Sequence, residues 1–144
     1  MQRVVAAQTT PDASAGWAAL PGVPESVAAA RRLVTRALAG CPRCDDLVLA
    51  VSELATNAIA WSASGEGGIF LVRVRRVTLW ARVEVTDDGP CSAAPAVPNP
   101  GTGVSAQPSA NGYGLLLVRE VTDRCGTSFT GGRRTSWAEC TWTL

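Results

Sequence analysis

The chemistry readable in this sequence begins with a glutamate and an asparagine four residues apart. Apolar residues recur at helical spacing around them and predict a buried stripe: Leu47, Val51, Leu54, Ala58 and Trp61. Glu53 and Asn57 stand at i and i+4 of this predicted helix, so their side chains project as neighbours. A glutamate can take a proton from a hydroxyl or a water, and an asparagine oxygen can bind a hard cation such as Mg²⁺. The spacing alone favours a solvated helix edge over a functional pair.

A second candidate lies at the end of a predicted strand. The segment 79–88 alternates in polarity and is followed by Gly89-Pro90, which is typical of a strand that meets a turn. By this alternation Asp87 shares a face with Val83 and Val85, where a carboxylate is unfavourable unless it meets a donor. Two interpretations stay open: an aspartate that caps the turn, or a carboxylate that accepts from the exocyclic amine of a ligand.

A third candidate is a pair of glycines before an apolar helical run. Gly112 and Gly114 flank Tyr113, and the run begins at Leu115. Glycines let the backbone approach a ligand closely, and a helix N-terminus offers free N–H groups to phosphate. A single Gly-x-Gly is also common in tight turns, so this signal is weak by itself.

Together and in this order, the three segments resemble the N, G1 and G2 boxes of the GHKL, or Bergerat-fold, ATPases. The nearest resemblance is to the small anti-sigma-factor serine/threonine kinases of actinobacterial type. The match runs from about Trp17 to the C-terminus. It is carried by residues 20–32, 52–58, 87–90, 112–118 and 132–139.

The resemblance implies a protein kinase that transfers the γ-phosphate of ATP to a serine of a partner protein. Asn57 would then ligate Mg²⁺, and Glu53 would be the general base on the attacking hydroxyl. The implied partners are a sigma factor and an anti-anti-sigma (STAS-like) protein. The resemblance also allows a homodimer formed through the first strand and first helix. It implies no direct contact with nucleic acid or membrane.

The resemblance further assigns the nucleotide contacts. Asp87 would accept from the adenine amino group, and Gly89 would give the base room. Gly112, Gly114 and the helix start at Leu115 would hold the phosphates. One more residue, on the last strand, matches a threonine that supports the adenine pocket: Thr135.

Some positions depart from the family pattern. Cys91 replaces a third G1 glycine, and Ala110 and Asn111 stand where some relatives carry a phosphate-binding arginine. These departures favour an alternative function. In it the chain is a catalytically weak or inactive nucleotide-binding switch that regulates transcription through protein binding alone.

Composition bounds the remaining function classes. The 144 residues suit one domain, and the net charge of +1 gives no electrostatic footprint for nucleic acid. All 13 basic residues are arginine, and histidine is absent. The chain therefore has no Walker-type lysine, no Ser-His pair and no phosphoacceptor histidine. With no signal pattern and no apolar stretch of membrane length, we expect a cytoplasmic protein.

The predicted fold is α+β, a two-layer α/β sandwich with three helices covering one face of a mixed, mostly antiparallel sheet. Residues 1–16 are predicted to be a flexible N-terminal segment and 17–144 the ATPase domain. The uncharged stretch at about 90–111 is predicted to be a lid over the nucleotide. Cys41 and Cys44 form a Cys-x-x-Cys pair, for which a redox or zinc role is the minor alternative to helix-flanking residues.

Overall fold

A computed structural model describes residues 14–89 and 112–144 of the chain. Residues 1–13 and the predicted lid lie outside the described residues. The elements in chain order are β1 (Ser14–Pro21), α1 (Glu25–Ala37), α2 (Cys44–Trp61), a 3₁₀ turn (Ala63–Gly65), β2 (Ile69–Val77), β3 (Trp80–Asp87), α3 (Gly112–Val121), β4 (Arg124–Thr130) and β5 (Arg133–Thr141). Within these ranges, no helix is long and apolar enough to cross a bilayer.

The five strands form one sheet in the order β1-β2-β3-β5-β4, and each neighbouring pair is antiparallel. The two-layer α+β sandwich is confirmed, with the difference that the described sheet is antiparallel throughout instead of mixed. The β4–β5 hairpin turns through Gly131 and Gly132, both at positive φ, as a two-residue turn requires. This topology places β3 and β5 side by side in the sheet.

The core lies between the helices and one face of the sheet. Phe70, Val72 and Val74 of β2 are fully buried, as their alternation predicted. Trp61 of the predicted α2 stripe is only partly buried. The buried residues of the two stripes, with Leu38 directly after α1, meet the strand with at most 3% exposure: Ala30, Val34, Leu38, Leu47, Val51, Leu54 and Ala58. Each large side chain buried in this way contributes about 1.5–3 kcal/mol. The hydrophobic periodicity therefore orients both helices correctly.

Two predicted boundaries are wrong in detail. β1 begins at Ser14, inside the segment predicted to be flexible, because Ser14 pairs with Arg75 of β2. From the sequence, Asp45 or Asp46 is predicted to cap α2, but the N-cap residue is Arg43 and no side chain caps the helix. Asp45 and Asp46 lie within the first turn instead, where the helix dipole favours carboxylates.

Arg43 ties the start of α2 to the end of the chain. Its Nε lies 2.7 Å from Asp46 Oδ2. Its Nη2 donates to the Val121 carbonyl at 2.9 Å, and its Nη1 donates to the Thr141 carbonyl at 3.0 Å. Asp123 completes the group at 3.3 Å from Nη1, and it accepts from the Thr141 N–H at 2.7 Å. One guanidinium thus joins α2, the end of α3 and the end of β5.

We expect Arg43→Met to lower the free energy of unfolding by about 1–3 kcal/mol, because two backbone carbonyls and two carboxylates lose their donor. Urea denaturation measures the change. Arg32→Met is the control, because Arg32 is exposed on α1 and its loss should change stability by less than about 0.5 kcal/mol. Equal effects of the two substitutions would show that the Arg43 contacts do not stabilise the fold.

Candidate functional site

Two side chains on the second half of α2 have a buried polar atom without a hydrogen-bond partner among the described residues, Asn57 (Oδ1) and Trp61 (Nε1). Ser52 and Thr56 donate their hydroxyls to carbonyls four residues earlier, so both are satisfied within the helix. Asn57 is only 7% exposed, and its Oδ1 is buried without a hydrogen-bond partner among the described residues. An orphaned buried oxygen is unfavourable unless a ligand meets it. Glu53 lies half-buried one turn earlier on the same helix.

The second predicted group, Asp87, is buried at the end of β3 with 2% exposure. Its Oδ2 accepts from Nη2 and Nε of Arg134 at 2.8 and 3.0 Å, and its Oδ1 accepts from the Gly89 N–H at 2.8 Å. Burial raises the pKa of Asp87 above its ordinary value, and the Arg134 guanidinium opposes that rise. Asp87 is therefore buried, as the alternation predicted, and N–H donors of the protein satisfy its carboxylate.

Sequence reasoning missed Arg134. It stands opposite Asp87 in the β3–β5 pairing and is 7% exposed. The signal was present, because Arg134 shares strand parity with the buried Ala138 and Cys140. Residues 134, 136 and 138 lie on one face of β5, so continuing the inward face from Ala138 towards the start of the strand leads to Arg134.

Thr135 is not brought to this group. Its hydroxyl lies 2.8 Å from the hydroxyl of Thr86, its partner in the adjacent strand. Both threonines alternate with the buried pair Asp87 and Arg134, so they lie on the opposite face of the sheet. The adenine role of Thr135 stays a prediction without geometric support, and Arg134 occupies the inward position beside it.

A compact backbone junction holds the end of α2 against the end of β3. The Ala63 N–H donates to the Gly89 carbonyl at 2.9 Å, and the Asp88 N–H donates to Ser64 Oγ at 3.0 Å. Asn57 lies four residues before the end of α2, which is about 6 Å along the helix axis. Asp87 is the last residue of β3. The metal-ligand candidate and the carboxylate therefore lie at the same end of the sandwich.

The third helix is anchored by its last residue at the start of α2. It packs on α2, and Arg43 holds that last residue. Gly112 and Gly114 lie in the first turn of α3, and the helix begins at Gly112, as the sequence predicts. The phosphate role of its free N–H groups stays a prediction.

Gly89 has a structural reason of its own. Its φ is +83°, and a Cβ added there would collide with the Gly132 carbonyl oxygen at the β4–β5 turn. The space at Gly89 is therefore taken by protein backbone. Its predicted role of giving a base room stays a prediction.

The cysteine pair shows no sign of reactivity. Burial raises the pKa of the Cys44 thiol, which disfavours the reactive thiolate. Within residues 14–89 and 112–144, no group of three or more Cys, Asp or Glu residues is placed to hold a metal ion. Cys140 is fully buried in the core, as its strand position predicted.

Residues 20–138 match the family described as the histidine kinase-like ATPase domain. This match covers well over half of the chain, so the protein belongs to that family, whose members bind ATP. No curated protein sequence matches the chain significantly. The family assignment agrees with the α+β fold.

We expect Gly89→Ala to destabilise the protein far more than Gly67→Ala. Both glycines have positive φ, +83° and +94°, and each substitution incurs about 1–2 kcal/mol of backbone strain. Only at Gly89 does the new Cβ also meet backbone, whereas nothing lies within 4 Å of a Cβ at Gly67. Thermal denaturation of both variants measures the difference. Equal melting temperatures would show that the Gly89–Gly132 contact is unimportant.

Proposed function

We propose that this protein is an ATP-dependent serine/threonine protein kinase of the anti-sigma-factor type. The observation that carries the proposal is the orphaned Asn57 Oδ1, one helical turn from Glu53 and at the same end of the fold as Asp87. Membership in an ATP-binding family indicates that the phosphoryl donor is ATP. The proposed partners are a sigma factor and an anti-anti-sigma protein that bears the acceptor serine.

The protein groups divide the work along the nucleotide. Asp87 receives the amino group of the base, and the N–H groups of the first turn of α3 receive the phosphates. Glu53 accepts the proton of the attacking serine hydroxyl, which must approach from the side open to solvent. Phosphoryl transfer needs positioning and charge neutralisation above all, so this small set of groups is chemically sufficient.

Asn57 fits a magnesium ligand. Mg²⁺ takes oxygen donors and commonly uses one or two protein oxygens together with phosphate oxygens. A buried carboxamide oxygen without a protein partner among the described residues matches the protein part of that donor set. When bound there, the ion would neutralise phosphate charge, which matters in a chain without lysine.

The alternative of a nucleotide-binding switch has one observation in its favour. Arg134 and Gly89 already donate three N–H groups to Asp87, so the base meets a carboxylate that is largely satisfied. A base held only through the one acceptor position that remains on Asp87 would suit a protein that binds nucleotide without transferring its phosphate. Measured phosphoryl transfer distinguishes the two functions.

We expect Glu53→Gln to abolish phosphoryl transfer and to leave Mg²⁺-dependent ATP binding within about threefold of the wild type, because only the proton acceptor is lost. Transfer is measured with γ-labelled ATP and a candidate anti-anti-sigma protein, and binding by calorimetry. Glu25→Gln, an exposed position on α1, is the matched control and should keep full activity. Transfer that persists in Glu53→Gln would contradict the base assignment, and no transfer by the wild type would favour the switch.

We expect Asn57→Ala to weaken ATP binding about tenfold or more in the presence of Mg²⁺ and to have little effect in EDTA, because it removes the proposed ligand oxygen. Calorimetric titrations with and without metal give the comparison. Thr56→Ala is the control, because its hydroxyl bonds only to the helix backbone. An equal loss of affinity with and without metal would show that Asn57 does not act through Mg²⁺.

A further inference from the structure

The Asp87–Arg134 pair leaves one well-defined acceptor site. A carboxylate oxygen accepts about two hydrogen bonds. Oδ2 already receives two N–H groups from Arg134, whereas Oδ1 receives one from Gly89. Among the described residues, one acceptor position on Oδ1 therefore has no donor. The rigid turn at Gly89 and the paired strand at Arg134 fix its direction before any ligand arrives.

The protonation state of this carboxylate decides which purine it accepts. An ionised carboxylate only accepts, so it suits the C6 amino group of adenine and repels the C6 oxygen of hypoxanthine. A protonated carboxyl group also donates, so it can meet either base. Burial favours the protonated state by raising the pKa of Asp87, and the always-charged guanidinium of Arg134 opposes it.

We propose that Arg134 is a positioning residue that makes the base site selective for a 6-amino purine, by holding Asp87 as an oriented acceptor. The inference rests on the proposed function, because it takes Asp87 to be the base-binding group. The geometry that carries it is the two-donor contact at 2.8 and 3.0 Å between side chains 8% and 2% exposed. Arg134 itself need not touch the nucleotide.

Other charged groups at this end of the fold do not replace Arg134. Asp88 follows Asp87 in the chain and raises the pKa of Asp87, so it acts in the opposite direction. Arg133 points to Asp88, with 3.4 Å between Nη2 and Oδ1, and its side chain is 48% exposed. Glu53 on α2 carries the same charge as Asp87. Among the described residues, Arg134 is the cation that donates to Asp87.

The experiment compares MgATP with MgITP for binding to the full chain between about pH 6 and about pH 8, where arginine stays charged. The two bases carry an amino group or an oxygen at C6 and, correspondingly, an acceptor or an N–H donor at N1. The affinity ratio cancels the titration of the phosphates. We expect the wild type to prefer ATP by about tenfold or more at each pH, the size of a buried acceptor-to-acceptor mismatch. Arg134→Met should lower the preference by about threefold or more, and most strongly at the acidic end, because the carboxyl group without its guanidinium is protonated more readily.

Three further variants separate this role from a structural one. Arg134→Lys keeps the charge and should keep most of the preference. Arg133→Met removes the neighbouring exposed arginine and should leave the preference unchanged. The double variant Asp87→Asn/Arg134→Gln removes both charges together, avoids an unpaired buried charge, and should bind both nucleotides about equally at every pH. If Arg134→Met fails to fold, this double variant tests the inference in its place.

The outcomes are distinguishable. A wild type that binds neither nucleotide overturns the proposed function and this inference with it. A wild type that binds ATP without preference over ITP overturns the inference alone. A folded Arg134→Met that keeps the wild-type ratio at every pH, or that loses both nucleotides equally, also overturns it. A double variant that keeps the wild-type ratio of ATP to ITP affinity overturns the inference as well.

Discussion

Burying a carboxylate at the end of a central strand requires a cation, and in this protein the neighbouring strand supplies it. Asp87 and Arg134 stand directly opposite each other in the β3–β5 pairing. A slip of one residue between these strands would turn Arg134 to the uncovered face and leave Asp87 without its partner. Losing one member of a buried pair is strongly unfavourable, at about 3–5 kcal/mol. The ion pair therefore fixes the register of the strands that carry the site.

Backbone contacts then connect this register to α2. The 3₁₀ turn after α2 packs so closely that a Cβ at Gly22 would collide with the Ser64 carbonyl, and one at Gly65 with the Ile59 carbonyl. The same turn bonds to Gly89 and Asp88 beyond β3. Because backbone atoms cannot adjust as side chains do, the end of α2 has little freedom relative to β3. Asn57 is therefore held on a rigid element, as a precise metal ligand needs.

The sequence predicted those features that depend on periodicity. Alternation assigned the inward face of β2 and the burial of Asp87, and helical spacing assigned the α2 stripe and the Glu53–Asn57 neighbours. Contacts between distant segments were beyond its reach. Arg43 bonds to residues about eighty and one hundred positions away, and nothing in its local sequence indicates this. Thr135 was preferred to Arg134 because the resemblance was read without the strand parity that separates their faces.

The two ends of the proposed nucleotide site differ in how completely the protein builds them. At the base end, three N–H donors orient Asp87 in advance, so little reorganisation is needed when a purine binds. At the phosphate end, the described groups are the orphaned Asn57 oxygen and the first turn of α3, and the chain has no lysine to add a compact charge. Helix-terminus N–H groups alone contribute modestly to anion binding. On the proposed function, the fold orients the base-binding carboxylate in advance, and phosphate binding depends on the Mg²⁺ that Asn57 would hold. This division would make metal availability, more than nucleotide identity, the control point of the proposed kinase.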